Sequence, residues 1–114
     1  METISREELK EKMDRGDDFV AIDTLAEMYY RHSHLPGAIN VPADEVGERI
    51  PELLPDREAE IVVYCMNPPC PASEKVAREL AAMGYGNVWD YAGGKQDWIE
   101  HGLPAQGRHY ARRK

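Results

Sequence analysis

Little in this chain could staple or anchor it. Of its 114 residues only two are cysteine, Cys65 and Cys70. Two cysteines five positions apart cannot build a disulfide framework. They can form a redox pair, a partial metal site or a reactive loop. Long apolar runs are missing too: nothing approaches the roughly 20 residues of a membrane span. Met1 to Lys10 is charged and lacks the apolar centre of a signal peptide, so the cytoplasm is the expected compartment, with both thiols reduced. Basic excess is also absent. Lys plus Arg number 14 against 21 Asp plus Glu, a formal charge of −7. That balance argues against a nucleic-acid partner, which needs a basic face. What remains is an acidic, soluble domain long enough to form one core without staples.

What is present is an alternation of helix and strand signals. Ser5-Arg6-Glu7-Glu8 fits a capping box, and Leu9 and Met13 share the helix face that follows. Gly16 ends that helix. Phe19 to Asp23 is a short apolar run suited to a buried strand. A short helix is expected over Leu25 to His32, a turn at Leu35-Pro36-Gly37, and a strand over Ala38 to Val41. Glu45 to Leu54 reads as helical, with Pro51 as a break or the start of a second piece. Ile61-Val62-Val63-Tyr64 is the clearest strand, because adjacent β-branched residues favour extended backbone. Ser73 to Met83 is the clearest helix, with Val76, Ala77, Leu80 and Met83 at helical spacing. Val88 to Tyr91 is a further strand. A last helix over Lys95 to His101 turns Trp98 and Ile99 inward. Strands separated by helices imply right-handed crossovers and a largely parallel sheet covered on both faces. Ligands of such sheets bind beyond the carboxyl ends of the strands, where Cys65 falls.

Several stretches resemble rhodanese-like sulfurtransferases. Val62-Val63-Tyr64-Cys65, a loop, and the Ser73 to Met83 helix resemble that family's active-site region. Gly93-Gly94 with Trp98, Gly102 and Pro104 resembles its closing signature. Ile22-Asp23 and His34-Leu35-Pro36-Gly37-Ala38-Ile39-Asn40-Val41-Pro42 resemble its first motif. The resemblance runs from about residue 4 to about 105. It implies a three-layer α/β fold with a central, mostly parallel sheet of about five strands flanked by helices. Residues 1–107 would form that domain, with 108–114 a basic, solvated tail. It also implies a catalytic cysteine, here Cys65, that takes sulfane sulfur from thiosulfate, a persulfide or a polysulfide. The sulfur would pass to cyanide, a thiol or a protein acceptor, with no cofactor.

The chain departs from the family in its loop. It is about two residues longer than usual and has no Gly or Arg. It carries Pro68, Pro69, Pro71 and Cys70 instead. Leu25 stands where an arginine commonly follows the first-motif aspartate. A reactive Cys65 needs a lowered pKa. The helix N-terminus near Ser73 and converging loop amides could supply it. Prolines have no N–H, so the donors are Met66, Asn67, Cys70, Ala72 and Ser73. Ser73 fits an N-cap and could also donate its hydroxyl to substrate. Cys70 is either a resolving thiol that attacks a Cys65 persulfide or a small loop residue with no chemistry.

Asp23 either orients the active-site loop or an arginine, or simply accepts hydrogen bonds at a strand end. His34 reads as a turn-stabilising residue. His32 and His34 fit no strong zinc spacing, so no metal is expected. A phosphatase of this fold would need an arginine at the loop end, and Cys65 to Ser73 holds neither Arg nor Lys. The competing expectation is a non-catalytic sulfur-binding or regulatory module.

Overall fold

The computed structural model describes residues 2–67 and 71–108. Five strands form one sheet: β1 (Glu2–Thr3), β2 (Val20–Asp23), β3 (Ile39–Asn40), β4 (Ile61–Tyr64) and β5 (Val88–Tyr91). Their spatial order is β1-β5-β4-β2-β3, and every pairing is parallel. The helices are α1 (Arg6–Arg15), α2 (Glu27–His32), α3 (Val46–Leu53), α4 (Pro71–Ala82) and α5 (Gly94–Glu100). A 3-10 turn over Ala43–Glu45 leads into α3. Among the described residues no helix is long and apolar enough to cross a membrane.

Central strand β4 shows how the sequence divides the core. All four of its residues are fully buried. Successive side chains of a strand point to opposite faces. Ile61 and Val63 accordingly join Val76, Ala77 and Leu80 of α4, with Val46 and Ile50 of α3. Val62 and Tyr64 join Leu9 of α1 and Trp98 of α5. The sheet is thus clothed on both sides, which is why β4 reads as an uninterrupted apolar run.

The α1 capping box forms as expected: the Glu8 amide donates to Ser5 Oγ, and Glu8 Oε1 accepts from the Ser5 amide. Four expectations need correction. β1 was not foreseen, because two polar residues carry no strand pattern; it exists through its pairing with β5. β3 is only Ile39–Asn40, since an edge strand is paired on one side alone. Pro51 does not split α3. It lies inside the helix, two residues before Leu53, and its missing N–H removes one bond without ending the element. Finally, α4 begins at Pro71, not Ser73. Proline is well suited to a first helical turn.

Candidate active site

Cys65 directly follows β4 and is 3% exposed. It was expected as a reduced thiol; its sulfur stands in disulfide-bonded form. Its carbonyl accepts from the Lys95 amide at 2.8 Å, and the Met66 carbonyl accepts from the Gln96 amide at 2.8 Å. The Asn67 side-chain amide donates to Gln96 Oε1. The start of α5 therefore grips the chain at Cys65 and just after it.

This close approach requires glycine at 94. Gly94 has φ 80°, and a Cβ there would lie 2.6 Å from the Met66 carbonyl oxygen. Both the left-handed backbone and the lack of room exclude a side chain. The Gly93-Gly94 pair thus serves the loop after Cys65.

Asp23 sits at the end of β2, in register with Tyr64 and fully buried. Among the described residues no arginine meets it. Its Oδ1 accepts from the Leu25 amide at 2.9 Å, and its Oδ2 faces Lys95 Nζ at 3.3 Å. Tyr64 also hydrogen-bonds its carboxyl. Lys95 is 1% exposed and donates as well to the carbonyls of Tyr29 (2.9 Å) and Ser33 (2.5 Å). Burial pushes the Asp23 carboxyl up and the Lys95 ammonium down; their mutual attraction opposes both shifts. Burial, and then the Asp23 charge, holds the Tyr64 hydroxyl well above its ordinary range. That hydroxyl accepts from the Leu35 amide at 3.1 Å. Lys95 therefore joins the two sequence motifs. Its ammonium binds Asp23 from the first, and its backbone amide binds Cys65.

His34 lies between Ser33 and Leu35, which both bond to this cluster, but its own ring makes other contacts. Its ring stacks on Tyr30 with centroids 3.9 Å apart, and its Nδ1 lies 2.8 Å from the Tyr30 carbonyl. Its backbone pairs with Gln106. Trp98 is fully buried and donates to the Pro104 carbonyl at 2.7 Å.

On the opposite face lies a group that the motifs did not reveal. Asp90 of β5 is 5% exposed and in register with Val63. The Ser73 hydroxyl hydrogen-bonds its carboxyl. Among the described residues its Oδ1 has no hydrogen-bond partner. A buried acceptor left unsatisfied costs about 1–3 kcal/mol. Burial, the largest cause, pushes the Asp90 carboxyl up; Glu74 adds to this and Ser73 opposes it. Ser73 is thus not the N-cap expected of it. It lies in the first turn of α4, with Ala72 before it, and it is 3% exposed. Met66, Asn67, Ala72 and Ser73 remain near Cys65 in the chain, while Cys70, Pro68 and Pro69 lie outside the described residues. So do residues 109–114 of the expected tail. Arg108, its first residue, donates its amide to the Arg31 carbonyl at 2.6 Å.

Sequence reasoning missed Lys95 and Asp90 for different reasons. A lysine early in an amphipathic helix looks solvated. Asp90 did carry a signal, as the one charged residue in Val88-Trp89-Asp90-Tyr91.

The chain is similar to several known proteins. A thiosulfate sulfurtransferase of Escherichia coli is 39% identical over 77 residues, covering 67% of this chain and 70% of its own length. An HTH-type transcriptional regulator of Mycobacterium tuberculosis is 32% identical over 106 residues, which span 90% of this chain but 44% of the regulator. The chain thus spans less than half the length of that relative. The solution structure of a rhodanese-like domain from Anabaena matches with a TM-score of 0.87 at 22% identity, covering 98% of this chain and 83% of the other. The rhodanese-like domain model matches residues 5–101, from the Ser5 cap through the Gly93-Gly94 signature to His101. With that span of the chain matched and the five-stranded parallel sheet in place, the chain belongs to the rhodanese-like domain family.

Proposed function

We propose that this domain is a sulfurtransferase working through a persulfide on Cys65. One observation carries the reading: the cysteine directly follows the central strand of a rhodanese-like sheet, and α4 is the next element in the chain. The first amides of a helix have no partner within it and favour negative charge. Those of Ala72 and Ser73, with the Met66 and Asn67 amides, would face an anionic outer sulfur. The Cys65 thiolate attacks the sulfane sulfur of a donor such as thiosulfate. A new S–S bond forms, the donor's S–S bond breaks, and sulfite leaves. Attack by cyanide, a thiol or a protein thiol on the outer sulfur then regenerates the thiolate. Asp23 acts behind this site by holding Lys95, whose amide fixes the Cys65 carbonyl. His34 supports the first-motif turn from outside the reacting group. Cys70, if it attacked the persulfide, would release sulfide and close a Cys65–Cys70 disulfide. The proposed setting is cytoplasmic.

The regulator relative supports a second reading, a module that binds sulfur and signals it without turnover. One experiment serves both. Reduced protein incubated with thiosulfate or polysulfide should gain about 32 Da per sulfur atom, and Cys65→Ser should gain nothing. An equal gain in the mutant would sink the Cys65 assignment. Loss of the added mass on cyanide, with thiocyanate released over many cycles, marks an enzyme. A stable adduct without turnover marks the sensor.

A further inference from the structure

Three carboxylate or ammonium groups are buried among the described residues: Asp23, Lys95 and Asp90. The first two face each other. Among the described residues Asp90 meets no cation; the side chains that act on it are Ser73 and, at longer range, Glu74. We infer that Asp90 sets the charge of the donor this site accepts, disfavouring dianions such as thiosulfate and selecting donors of lower charge, alkyl persulfides above all. The inference rests on the Cys65 reading given above.

Placement makes the argument. In β5, Val88 packs on the α4 side and Tyr91 on the α5 side, so Asp90 alternates onto the α4 side. Cys65 lies two residues beyond Val63, the register partner of Asp90, and directly follows the end of β4. Strand spacing and rise put the two Cα atoms about 8 Å apart. Asp90 lies by the first turn of α4 through Ser73, and α4 is the next element in the chain after Cys65. Asp90 offsets the positive end of that helix from within. It also engages the Ser73 hydroxyl, whose single proton is then unavailable to a substrate. Neither Arg nor Lys occurs from Cys65 to Ser73, so no side chain there restores positive charge. A persulfide donor R–S–S⁻ brings one negative charge. Cys65 thiolate attacks its outer sulfur, the donor S–S bond breaks, and RS⁻ leaves. Thiosulfate brings two charges into the same field.

The test separates field from turnover. Reduced wild type, Asp90→Asn and Asp90→Val are alkylated with iodoacetate and with iodoacetamide, and the rate at Cys65 is read by peptide mass. The ratio of the two rates cancels the thiolate fraction and reports the local potential. Both variants should raise the iodoacetate-to-iodoacetamide ratio at least about twofold, since one unit charge at this distance is removed. The kcat/KM ratio of thiosulfate to 2-hydroxyethyl persulfide should rise by a similar factor, because those donors also differ by one charge. A packing role alone would shift both alkylation rates together. An unchanged alkylation ratio in the variants overturns the inference, as does an unchanged donor preference in a protein that turns over both donors. A raised alkylation ratio in a protein that moves sulfur from neither donor supports the field and overturns the sulfurtransferase reading instead.

Discussion

On the α5 face of the sheet, Asp23 meets an ammonium, a tyrosine hydroxyl and a backbone amide. On the α4 face, Asp90 meets one serine hydroxyl and keeps an oxygen without a partner. Both carboxylates are buried, Asp23 at the end of β2 and Asp90 one residue before the end of β5, on the two strands that flank β4. The difference is one of purpose. The first cluster closes on itself and ties α2, β2 and α5 together. The second stays electrically open toward the place where substrate would arrive. A paired buried charge is a structural joint, whereas an unpaired one projects a field.

The sharpest way to break this comparison is to open the closed cluster. Lys95→Met would leave Asp23 buried without its counter-ion. We expect a loss of about 3–5 kcal/mol in denaturant unfolding. Lys95→Met combined with Asp23→Leu should recover much of that loss, since an apolar pair of similar volume often substitutes for a buried ion pair. A double variant as unstable as the single one would show that the pair is not acting as a unit.

The next effect lies where α5 meets the loop. Gly94→Ala places a Cβ against the Met66 carbonyl at a positive φ. A loss of about 2 kcal/mol is expected in the same assay, with sulfur loading of Cys65 reduced because the Lys95 and Gln96 amides no longer reach their carbonyls. Wild-type stability in this variant would mean that the loop yields freely.

The smallest effect has the opposite sign. Burial holds the Asp90 carboxyl above its ordinary 3.8, so the native state keeps a proton that the unfolded chain releases. The stability this confers is present below about pH 3.8 and is lost as pH rises through the native value. Asp90→Asn removes that loss. It should stabilise the protein by about 1 kcal/mol near neutrality and by nothing near pH 3.5, measured as Tm at both pH values. Equal shifts at the two pH values would show that charge is not the cause.

Local chemistry explains how much of this was legible in the sequence. The Ser5 cap, the β-branched run of β4 and the periodic face of α4 each carry their signal in adjacent residues, and each formed. β1 and the full meaning of Lys95 and Asp90 depend on residues distant in the chain. Glu2-Thr3 becomes a strand only because Trp89 and Asp90 offer it an edge. Lys95 is buried only because carbonyls from Tyr29 and Ser33, more than sixty residues earlier, surround its ammonium. The family resemblance pointed to Cys65 and Asp23, and an arginine was one of the partners expected for Asp23. The lysine that meets Asp23 comes from the other end of the chain.

The two outer strands, β1 and β3, are two residues each. An edge that short presents few free amides and carbonyls to a neighbouring chain. The sheet is thereby poorly suited to templating strand addition, either by a second copy or by an extended peptide. A protein that receives sulfur from this domain would dock over the loop-bearing end, where its thiol can reach Cys65, and read side chains and loop backbone rather than a sheet edge.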